Sequence, residues 1–135
     1  DKRLNLRSDD MWPIRLSNAE MDAFRWIEHN VGMNDVVVAG PIFSNFVPGL
    51  SGAKVYLGHI GRTIDFSQKL TSVQQINVVN RLPSLESNGK VWFVNTLHET
   101  IGTPEKIYID DGSAYCSGAD FNVGNISVLE YNNCN

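Results

Sequence analysis

The sequence predicts a three-layer, Rossmann-like α/β domain whose sheet is mostly parallel, with an antiparallel edge at its C-terminal end. Three observations lead there. Helical and strand-like hydrophobic periods alternate through the first two-thirds of the chain, the pattern of helices layered on a sheet. Val36-Val37-Val38-Ala39 is a short, continuous β-branched run, as expected of a strand buried on both faces. The last apolar stretch, Ile126 to Tyr131, instead alternates, which suits a final strand at an antiparallel edge.

The elements follow in order. Ser17-Asn18-Ala19-Glu20 reads as a capping box, with the Ser hydroxyl and Glu carboxylate satisfying free backbone donors at a helix start. Ala23, Phe24, Ile27 and Val31 then recur at helical spacing, and Asn30 and Gly32 supply the stop. After Gly40-Pro41, a helical turn or two around Asn45-Phe46-Val47 breaks at Pro48-Gly49, and Lys54 to Gly58 is the second strand. So short a crossover is tight for a parallel pair. From Thr63 to about Asn80 the helical period returns, with Phe66, Leu70, Val73 and Ile76 as the inner stripe. Leu82-Pro83 and Ser87-Asn88-Gly89 break the chain before a third strand, Lys90 to Asn95. Lys106 to Ile109 fits a strand or a helix end, followed by a turn at Asp110-Asp111-Gly112. Residues 1–16, without periodicity, read as a lead-in from a preceding segment, leaving 17–135 as one domain.

A chain of 135 residues with 42% hydrophobic and 19% charged residues can bury a substantial core. The formal charge of -4 and the lack of a basic stripe argue against nucleic acid as a partner. No apolar run reaches membrane-span length, no signal-peptide pattern opens the chain, and it starts at Asp1, so it is expected to be a piece of something longer. Cys116 and Cys134 match no zinc spacing. They could bridge, as an oxidising compartment permits, or stay as two separate thiols. Asn125-Ile126-Ser127 matches a glycosylation sequon. Trp26 and Trp92 are expected in the core or an interface, and Trp12 exposed.

In open α/β sheets ligands collect beyond the carboxyl ends of the strands. The segments 40–45, 58–63 and 95–100 should reach that edge, carrying Ser44, Asn45, His59, Arg62, Thr63, Asn95, His98 and Glu99. The densest stretch is Gly58 to Lys69. Its glycines allow tight turns, Thr63 can cap the following helix, and Arg62 beside free backbone donors would suit an anion. The competing reading is architectural: Thr63 only caps, Arg62 is solvated, and Lys69 pairs with Asp65 one turn away. His59 could meet His98-Glu99 as a metal or acid–base group, though the spacing carries no ligand motif. His29 is read as a helix-end residue complementing the dipole. No dinucleotide fingerprint, phosphate-binding Gly-Lys loop, nucleophile elbow or calcium loop occurs, so no cofactor, metal or catalytic residue is assigned.

One resemblance is specific. Trp26-Ile27-Glu28-His29-Asn30, Asp35 to Ala39, Asn45, Pro48-Gly49-Leu50-Ser51-Gly52, Val55 to His59, Thr63 and Lys69 follow one another in an order that resembles the C-terminal soluble domain of polytopic glycosyltransferases of the lipid-linked-sugar type. These are similar to dolichyl-phosphate-mannose–protein mannosyltransferases. The strand Lys90 to Val94 fits the same pattern, and the match is best from Ser17 to Lys69. Arg62 departs from it, standing where an acidic residue is expected. The resemblance implies an extracytoplasmic accessory domain, with the membrane-embedded part of the same polypeptide as its partner. It implies contacts to acceptor, phosphate or sugar phosphate through Ser44, Asn45, His59, Arg62, Thr63 and Lys69. The catalytic carboxylates of such enzymes lie near N-terminal membrane helices that these residues do not include. The domain by itself is therefore not expected to transfer sugar.

Overall fold

A computed structural model describes residues 18–40, 43–44, 46–48, 52–57, 66–83, 85, 89–96, 99–124 and 126–134. It corrects the predicted fold class. The domain is a curled, half-barrel-like mixed sheet of seven strands carrying a few short helices, and not a three-layer, mostly parallel Rossmann-like sheet. In chain order the strands are β1 (Val36–Val38), β2 (Lys54–Val55), β3 (Arg81–Leu82), β4 (Val91–Asn95), β5 (Lys106–Ile109), β6 (Ala114–Val123) and β7 (Ile126–Asn133). Across the sheet they lie β2-β1-β4-β7-β6-β5-β3.

Two halves with different rules meet at the β4–β7 pairing. In the first, β1 lies parallel to both β2 and β4. In the second, β5, β6 and β7 form an antiparallel meander, and the short β3 adds in parallel to β5. The alternating strand 126–133 is not an edge. It lies in the middle of the sheet, antiparallel to β4 from Val91↔Tyr131 to Asn95↔Ser127 and antiparallel to β6 on its other side. Its alternation reflects two differently furnished faces: Ile126 and Val128 point to one apolar cluster, Leu129 and Tyr131 to the other.

Helices cover both faces of the first half. On one side α1 (Asn18–Asn30) buries Ala23, Phe24 and Ile27 against Val37, Ala39, Trp92, Val94, Ile126 and Val128. Phe24 stacks on Phe43, their centroids 4.6 Å apart, and Trp26 meets Trp92 edge-on at 5.6 Å. Ser17, the capping residue of that box, lies outside the described residues, as does Trp12, and the helix begins at Asn18. At the other end of α1, His29 Nδ1 lies 2.8 Å from the Arg25 carbonyl oxygen.

On the opposite face, α2 (Phe66–Gln74) and α3 (Ile76–Val79) cover Val38, Tyr56, Leu57, Val91, Phe93 and Tyr131 with Phe66, Leu70, Val73 and Ile76. The single helix expected over 63–80 is thus two, joined at Gln75, within the described residues. Asn80 closes α3 in the left-handed region at φ 55°, a conformation asparagine tolerates, and its carbonyl accepts the Tyr108 N–H.

Cys116 of β6 and Cys134, just beyond β7, form a disulfide with their Cα atoms 5.8 Å apart. The backbone is already close at that point, because Cys116 pairs with Asn132 and the Cys134 N–H donates to the Ala114 carbonyl. The bridge therefore clips a hairpin whose strands are in register. Between Ser117 and Asp120 that register shifts, and the bulge leaves Gly118 and Ala119 exposed.

Candidate functional site

The carboxyl ends of β1, β2 and β4 define the edge at which the sequence places its candidate residues. Of these, Asn45, His59, Arg62, Thr63 and His98 lie outside the described residues, as does Asp65, the alternative partner of Lys69. Ser44, Lys69, Asn95 and Glu99 are described, and each is held by a different part of the edge.

Glu99 dominates the gap between β1 and β4. The loop after β4 is shaped by its own polar side chains: the Glu99 N–H donates to Thr96 Oγ1 at 2.9 Å, the Thr96 N–H to the Glu99 carbonyl at 3.0 Å, and the Ile101 N–H to Asn95 Oδ1. This shape carries the Glu99 side chain back over the end of β1, where Oε1 accepts the Phe43 N–H at 2.7 Å. Gly40 makes the approach possible. A Cβ at that position would lie 2.5 Å from the Glu99 carboxyl carbon. Ser44, fully buried beneath, donates its hydroxyl to the Ala39 carbonyl at 3.2 Å and its N–H to the Gly40 carbonyl at 3.0 Å. Glu99 therefore ties the loop after β1 to the loop after β4, while Ser44 holds the first of these to the end of its own strand.

Lys69 belongs to the other side of β1. Tyr56, just past β2, donates its N–H to the Val37 carbonyl at 2.8 Å and buries its ring under α2. The ammonium of Lys69 lies 4.9 Å from the centre of that ring. No carboxylate among the described residues forms an ion pair with it.

A second polar centre, unforeseen in the sequence, lies at the amino ends of the same strands. Asp35 is buried just before β1, and its carboxylate accepts the Gly32 and Lys90 N–H groups, each at 2.8 Å, and the Trp92 indole N–H at 3.0 Å. Burial by itself would raise its pKa. Hydrogen bonds from Trp92, Lys90 and Gly32, with the Lys90 charge nearby, outweigh that and hold it below the ordinary carboxylate value. Next to it the Lys90 ammonium binds Glu130 at 2.7 Å and lies 5.7 Å from the Trp92 ring centre. That hydrogen bond, with Asn132 and the Ala119 backbone as further donors, lowers the Glu130 pKa against the effect of its burial. The available signal was an aspartate directly before a β-branched run and a tryptophan in the neighbouring strand. Both carboxylates, the ammonium and the indole there have internal partners, so this centre reads as architecture.

Among the described residues, no three His, Cys, Asp or Glu side chains are grouped to hold a metal ion. Their chemistry at the strand-end edge is thus one engaged carboxylate, Glu99, and one ammonium over a ring, Lys69. No protein-family model matches the chain, and it matches no curated protein and no solved structure.

Proposed function

We propose that the chain is an accessory domain on the extracytoplasmic face of a membrane glycosyltransferase that uses a lipid-linked sugar donor. On this reading the domain contributes contacts to phosphate or acceptor at the carboxyl ends of β1, β2 and β4 and does no chemistry itself. The observation that carries the location is the Cys116–Cys134 disulfide, since such bonds persist in oxidising compartments. The order of residues from Trp26 to Lys69 described above supports the enzyme class. No described helix is long and apolar enough to cross a membrane, so the anchor on this reading belongs to another part of the polypeptide.

The test is made on cells producing the native polypeptide. Membranes are extracted with alkaline carbonate, and cysteines are alkylated before and after reduction. The expected result is retention in the membrane pellet, with Cys116 and Cys134 labelled only after reduction. Release into the supernatant with both cysteines open to alkylation would overturn the reading.

A further inference from the structure

We draw no further inference here: the strongest candidate, the surface patch where α3 meets β5 and Val78, Val79 and Tyr108 stand exposed, carries nothing because no feature among the described residues shows what covers it.

Discussion

The β1–β4 pair is fastened at both ends by a single carboxylate, and the two are fastened differently. At the amino end Asp35 is buried and accepts three N–H groups from the loop before β1, the start of β4 and an indole. At the carboxyl end Glu99 is half-buried and reaches across 56 residues to the Phe43 N–H. Each has a glycine beside it: a Cβ at Gly89 would lie 2.1 Å from Asp35 Oδ1, and one at Gly40 lies 2.5 Å from the Glu99 carboxyl carbon. The difference teaches which end is permanent. A carboxylate with three buried partners leaves donors orphaned if removed, whereas one near solvent can be replaced with less loss.

That contrast can be broken by mutation. Asp35→Ala orphans the Trp92 indole and two backbone donors and should cost about 3–4 kcal/mol in urea unfolding. A loss below about 1 kcal/mol would show that water replaces the carboxylate and that the two ends are equivalent. Next in size, reducing the Cys116–Cys134 bridge, which spans 18 residues, should lower stability by roughly 3 kcal/mol. An unchanged melting temperature in reductant would mean that β6–β7 pairing alone restrains that hairpin. At the carboxyl end, Glu99→Ala should cost only about 1–2 kcal/mol. Gly40→Ala should destabilise the wild type by a similar amount, about 1–2 kcal/mol, and become nearly harmless only in a Glu99→Gly background, because the Glu99 Cβ would itself lie 2.8 Å from the new methyl group. Additive losses in that double-mutant cycle would refute the collision.

The smallest effect is on pH dependence. Asp35 and Glu130 both titrate below their ordinary values of 3.8 and 4.5 in the folded protein. Their contribution is therefore complete above those values and fades as pH falls through the lower, folded ones. Asp35→Asn should flatten the acid limb of a stability–pH curve measured between pH 2 and pH 6, about the range in which carboxylates titrate. An acid limb with the wild-type slope would show that Asp35 is not a source of it.

How much of this was legible in the sequence follows from the physics of each element. The α1 stripe and the runs of β1 and β4 were readable because burial there imposes a local period. Strand β6 was not, because Ser117, Gly118, Ala119 and Asp120 are exposed and bulged, so no apolar alternation marks them. Strand β3 is two residues long and was read as the break at Leu82-Pro83. The fold class failed at a different level. Periodicity identifies a strand but says nothing of its neighbours, and placing 126–133 between β4 and β6 depends on contacts far apart in sequence. At the edge, Glu99 was recognised as belonging to the strand ends, but not its reach across to Phe43. The role of Asp35 was hidden because its partners are backbone groups and an indole in a distant strand.

The central position of β7 bears on how the protein is made. It follows every other strand in chain order, yet it joins the parallel half to the meander. Until it emerges during synthesis, β4 and β6 each present an unpaired edge, and Phe93, Trp92 and Phe121 lack the neighbours that cover them. The sheet can close only once the last strand is available, which makes its formation dependent on long-range contacts and intrinsically slow. A chaperone acting on the nascent chain would have its longest window here, and a premature stop before Ile126 would yield two sticky half-sheets instead of a smaller domain.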